Sequence, residues 1–137
     1  MKKILLAIGA IVIVLTVNAQ NYNVTVNSQF QPMSVEEHLR YMQAQAARDA
    51  YLEKRYDEYT GYAYKALKRG NRYDFIYYSN IALETGLYSS QLYYDRGAAF
   101  EYLKDYKRAK KEYKKAYKHG YYEAYYALEK LKKLRKR

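Results

Sequence analysis

The chain has 137 residues and a formal net charge of +11, with 21 tyrosines, no tryptophan and no cysteine. The absence of thiols excludes disulfides, thiolate metal sites and a lipid-modified cysteine at an export cleavage site. The length accommodates a single domain once an N-terminal leader is set aside.

Residues 1–19 read as a signal peptide. Lys2 and Lys3 supply the positive start, Ile4–Val17 the apolar stretch, and Val17-Asn18-Ala19 the small-residue cleavage site. The apolar stretch is shorter than the about 20 residues an ordinary spanning helix needs. The expectation is export by a cleaved signal, to the periplasm or the cell surface. Residues 20–33 are uncharged and rich in Asn and Gln, and form a polar leader expected to be disordered.

Helix is expected from Ser34 onward. Ser34 followed by Glu37 is a capping box, in which hydroxyl and carboxylate each satisfy a free backbone amide. Apolar residues then fall at helical steps on Val35, Leu39, Met42, Ala46, Ala50, Tyr56, Tyr59, Ala63 and Ala66. That pattern predicts a long helix to about Arg69, with a break near Gly61 as the alternative. Gly70-Asn71 ends it and caps the next helix, Arg72 to about Glu84, which stops at Gly86. Ser89 or Ser90 caps a helix from Gln91 to Leu103. Asp105 caps another that runs to Lys118 and ends at His119-Gly120. A last helix is expected from about Tyr122 to Arg135, with Ala124, Ala127 or Leu128, Leu131 and Leu134 on one stripe. No segment reads as a strong strand, so the class is all-α.

Four residues repeat at a fixed distance. Ala63, Asn71, Ala82 and Gly86 recur 34 residues later as Gly97, Asp105, Ala116 and Gly120. A period of that length indicates stacked helical hairpins. Within Leu92–Tyr121, an aromatic at Tyr93, the small Gly97 next to Arg96, and the aromatic Phe100 are followed by Ala109, Tyr113 and Ala116 on the next helix. This arrangement resembles the tetratricopeptide repeat. Arg96 departs from it, because a large apolar residue is usual there, and Tyr121 stands where proline often closes the unit. The upstream unit matches more weakly through Tyr59, Tyr62, Ala63, Gly70, Phe75 and Ala82, with Ala66 in place of the second aromatic and Ser79 in place of the later one.

The resemblance implies a short tetratricopeptide-like helical-hairpin solenoid. It would have repeats at about 57–88 and 91–121, an N-terminal helix at 34–56 packing on them, and a basic C-terminal capping helix at 122–136. Tyr59, Ala63, Ala82, Tyr93, Gly97, Phe100, Ala109, Tyr113 and Ala116 would pack between helices. The first helices of the hairpins would line a concave groove through Tyr64 and Lys68, then Tyr94, Ala98 and Tyr102, then Tyr126, Lys130 and Lys133. Some family members clamp a partner's C-terminal carboxylate with basic side chains in this groove. The corresponding places here hold Thr60, Tyr64, Asp95, Glu123 and Ala127, so that clamp is absent. The tyrosines have two readings, as platforms for a peptide or as packing at the solvent edge.

Charge is concentrated at one end. From Lys104 onward 14 basic residues face four acidic ones, whereas Gln20–Leu103 is nearly balanced. Lys107, Lys111, Lys114 and Lys118 recur along one side of a helix, and with Lys132 and Arg135 they form a candidate patch for anionic polysaccharide, lipid or acidic protein. The plain alternative is a solvated helix face. Single-stranded nucleic acid would suit lysines among tyrosines, but export removes the chain from most of it. His38 and His119 stand apart, and no metalloprotease, nucleophile-elbow or phosphate-loop spacing occurs. The expectation is a non-enzymatic interaction module of the bacterial envelope, with no cofactor and no metal. It would bind a protein or peptide in the groove or, alternatively, adhere to an anionic surface.

Overall fold

The computed structural model describes residues 32–134. The expected signal peptide, most of the polar leader, and Arg135 of the basic patch lie outside the described residues. Among those described, every regular element is an α-helix, in the order α1 (Val35–Lys68), α2 (Arg72–Leu83), α3 (Ser90–Tyr102), α4 (Tyr106–Lys118) and α5 (Ala124–Leu134). The chain is all-α, built of consecutive helices that pack in sequence order.

The chain divides into two compact units, residues 1–39 and 40–137. In the first, the described part opens on the expected capping box. The Ser34 amide donates to Glu37 Oε2 at 2.8 Å, and the Glu37 amide donates to Ser34 Oγ at 3.2 Å. The Glu37 carboxyl is held below its ordinary value by the Ser34 backbone and side-chain hydrogen bonds.

In the second unit the remaining starts and stops are equally local. Asn71, Ser89 and Asp105 are the N-caps of α2, α3 and α4, accepting from the amides of Asp74, Leu92 and Arg108. The cap of α3 is thus Ser89, not Ser90. Three helices close in the same way. The amides of Asn71, Asp105 and Tyr121 reach back to the carbonyls of Ala66, Phe100 and Ala116 at 3.0, 2.9 and 2.9 Å. That closure needs a left-handed residue just before the donor. Gly70 and Gly120 supply it, and Lys104, 34 residues after Gly70, adopts the same conformation at φ 60°.

The long helix runs unbroken through Gly61, which settles the alternative of a break there. Its packing, however, is confined to its C-terminal end. From Arg40 to Tyr51 every residue except Gln45 is exposed, and burial builds only from Leu52 and Tyr56 to Ala63 and Ala66. The expectation that 34–56 packs on the repeats therefore needs correction for most of its length. Length supplies the reason. Arg40–Lys68 rises about 44 Å, whereas the partner helix α2 rises about 18 Å, so among the described residues the earlier turns have no helix beside them.

The last helix also departs from expectation. It begins at Ala124 rather than Tyr122, because the α4 closure holds Tyr121, and Tyr122–Glu123 form a tight turn. The amides of Ala124, Tyr125 and Tyr126 bond three residues back, to Tyr121, Tyr122 and Glu123.

The core has two linked parts. Ala63 and Ala66 of α1, Phe75 of α2, and Leu92 and Ala99 of α3 form the first. Phe100 of α3, Ala109, Tyr113 and Ala116 of α4, and Ala124 and Leu131 of α5 form the second, and Ile76 touches both. Fully burying a side chain such as Phe75 or Leu92 stabilises the fold by about 1.5–3 kcal/mol. All nine residues expected to pack between helices are buried or half-buried. Gly97 is sterically required, since a Cβ there would lie 2.5 Å from the Tyr113 ring.

Two of the residues that depart from the repeat pattern, Arg96 and Ser79, are in contact. Arg96 is 6% exposed, and its Nε bonds Glu112 Oε2 at 3.0 Å. Its other arm donates to the Ser79 hydroxyl and to the Ile76 carbonyl. Ser79, small where an aromatic is usual, leaves the space that the guanidinium enters. The Glu112 carboxylate is completed by Lys115 at 3.3 Å. A buried arginine is tolerable only when its donors are matched in this way.

Candidate functional site

Helices α3 and α5 present the same kind of face to a shared cleft. On α3 the side chains four apart, Tyr94, Ala98 and Tyr102, lie on one face, and on α5 Tyr126 and Lys130 do the same. The cleft has a volume of about 550 Å³ and is lined by all five, together with Glu101, Tyr113, Glu123 and Ala127. Ala98 and Ala127 keep the floor low, while Tyr102 and Tyr126 stand at the rim, 65% and 74% exposed. An exposed ring beside a small-residue floor offers apolar area and a hydroxyl to an incoming chain.

The remaining expected groove residues separate. Tyr64 does not line the cleft but ties α1 to α3, its hydroxyl donating to Asp95 Oδ2 at 2.9 Å. Burial, with the Asp95 charge next, pushes its phenol well above the ordinary value. Lys133 lies in an adjoining hollow of about 330 Å³ with Tyr126, Glu129, Lys130 and Leu134. Lys68 is exposed and lines none of these clefts.

The wall of the cleft carries carboxylates beside Lys130. Glu101 accepts from the Tyr113 hydroxyl at 2.8 Å and pairs with Lys130 at 2.6 Å. Burial and then that hydrogen bond raise the Tyr113 phenol, and the same carboxylate raises Lys130. Glu101 was not legible as a groove residue, because it follows Phe100, which faces the core. Its only sequence signal is its position three residues after Ala98, the spacing that places two residues on one helical face. Glu123 lines the same wall.

The lysine patch also divides. Lys107 and Lys132 share a groove between α4 and α5 with Lys110 and Lys133. Lys111, Lys114 and Lys118 are exposed on α4 and line no such groove. Lys132 is paired with Glu129. Among the described residues no group of three or more His, Asp or Glu side chains is placed to hold a metal ion. His119 packs against both Tyr88 and Tyr93, with ring centroids 4.3 and 5.8 Å away. Among the described residues, no helix is long and apolar enough to cross a membrane.

No family model matches the chain, and neither a curated protein nor a solved structure does so.

Proposed function

We propose that the chain is a tetratricopeptide-like interaction module, exported to the bacterial envelope, that holds a segment of a partner protein in the α3–α5 cleft without catalysing a reaction. One observation carries this reading: Tyr94, Tyr102 and Tyr126 converge over the small floor of Ala98 and Ala127. Rigid aromatic side chains around a low floor are the usual anchors of a peptide contact, since they bring area at little entropic cost. Glu101 is already paired with Lys130, so the carboxylate of Glu123, which makes no ion pair among the described residues, sets the chemistry of the occupant. A partner's terminal carboxylate would meet like charge there, so the fitting ligand is an internal stretch with apolar and cationic side chains.

The test is a crosslinked pull-down from envelope extract, washed at low and at high salt, with the wild-type chain and with Tyr94→Ala and Tyr126→Ala. A discrete protein retained at high salt by the wild type and lost from both variants supports the cleft. Retention indifferent to both tyrosines overturns it. A second reading, adhesion to anionic polysaccharide or lipid, is favoured by the exposed row of Lys111, Lys114 and Lys118. Contacts of that kind lie in screened solvent, so they collapse at moderate ionic strength.

A further inference from the structure

The groove between α4 and α5 is distinct from the tyrosine cleft and differs from it in charge and in lining. It encloses about 750 Å³. Its floor is the leucine stripe of α5, where Leu131 is 6% exposed, Leu128 half-buried and Leu134 40% exposed. Lys107 and Lys110 of α4 edge one side, and Lys132 and Lys133 of α5 edge the other. Glu129 answers Lys132, while Lys107, Lys110 and Lys133 make no ion pair among the described residues.

We propose that this groove is a docking site for an acidic amphipathic helix of a partner protein, its apolar ridge on the leucines and its carboxylates against the lysines. A trough between two helices accepts the side-chain ridge of a third by ordinary helix packing. Charge selects among the possible occupants. A second copy seated by the same face would oppose two lysine rims, because a two-fold interface brings a patch against itself, and like charges repel. An anionic lipid surface could meet the protruding lysines but would leave the recessed leucine floor around Leu131 uncovered. An acidic helix satisfies both features at once, burying the leucines and neutralising the rim.

The experiment uses the purified chain and a fluorescent synthetic helix with leucines at i, i+3, i+4 and i+7 and glutamates elsewhere, read by anisotropy. Controls are the same peptide scrambled, the same peptide with lysines for glutamates, and vesicles of phosphatidylglycerol with phosphatidylcholine. Saturable binding of the acidic helix alone is expected. It should weaken by roughly ten-fold or more in Leu134→Asp and in the double variant Lys107→Glu/Lys133→Glu. Both substitutions are at exposed positions, so circular dichroism should show the fold retained. Lys54→Glu, which changes charge far along α1, should bind as the wild type does. Equal binding of the scrambled peptide, binding to the vesicles alone, failure of the acidic helix to bind, or indifference to the two groove variants would each overturn the proposal.

Discussion

The two hairpins α1–α2 and α3–α4 occupy the same places in the 34-residue period, yet they close the same crossing by different chemistry. Tyr62 and Tyr78 of the first correspond to Arg96 and Glu112 of the second. In the first hairpin the pair is two rings, 5.6 Å between centroids. In the second it is a buried ion pair at 3.0 Å. The volumes also trade places. Ala66 with Phe75 in one hairpin becomes Phe100 with Ala109 in the other, so each interface holds one ring and one methyl, in opposite order. Ala63 and Ser79 correspond to Gly97 and Tyr113, and there Gly97 must admit the ring of Tyr113. Position explains the difference. Arg96 is covered by α2 through Ile76 and Ser79, whereas Tyr62 has no preceding hairpin among the described residues and stays exposed. A repeat therefore constrains total volume and backbone approach more tightly than it constrains side-chain type.

That comparison can be broken at its most costly point first. Arg96→Leu removes the buried partner of Glu112, leaving it only the half-exposed Lys115, and should destabilise the fold by about 3–5 kcal/mol, measured by urea unfolding. Tyr62→Leu, at the equivalent place, should cost far less, because that ring is already in water. The combination Arg96→Leu/Glu112→Leu should recover much of the loss. If Arg96→Leu alone were neutral, the ion pair would not hold this crossing.

Next in size is the close approach of α3 to α4. Gly97→Ala drives a Cβ into the Tyr113 ring and should cost about 1–3 kcal/mol. Adding Tyr113→Leu should relieve part of that loss, which a double-mutant cycle would read as coupling. Additive effects would mean that the ring shifts freely and Gly97 is incidental.

The caps give a smaller contrast that depends on pH. Asn71 caps α2 and does not titrate, whereas Asp105 caps α4 and is held below its ordinary value by hydrogen bonds from the backbone and side chain of Arg108. A depressed carboxyl stabilises the fold fully above its unfolded pKa, and the contribution fades as pH falls through the folded value. Acid titration of Asp105→Asn should therefore show a shallower loss of stability than the wild type. Identical slopes would remove Asp105 from the acid response.

The smallest expected effect has the opposite sign. Gly61 lies in mid-helix with open space around a built Cβ, so Gly61→Ala should stabilise by about 0.5–1 kcal/mol. A fall in melting temperature would show that the glycine serves a purpose the packing does not reveal.

The candidate site was legible in proportion to how local its parts are. Tyr94, Ala98 and Tyr102 could be read together, because steps of four on a helix share a face. Tyr126 and Lys130 followed from the same rule on α5. Tyr64 and Lys68 obeyed that spacing too but lie outside the cleft, because spacing selects a face and not what stands opposite. Glu101 escaped notice, since its partners Tyr113 and Lys130 stand 12 and 29 residues away.

By itself the sequence determined where the helices of residues 32–134 begin and end, and that they repeat. Ser34 with Glu37, Asn71, Asp105 and the glycines at 70, 86 and 120 act on backbone groups within five residues, so neighbouring residues suffice to specify them. Only the tertiary structure decided that Arg96 is buried against Ser79 and Glu112, and that the tyrosine cleft has carboxylates in its wall. These features depend on desolvation and on groups brought together from separate helices, and neither quantity exists until the helices have packed.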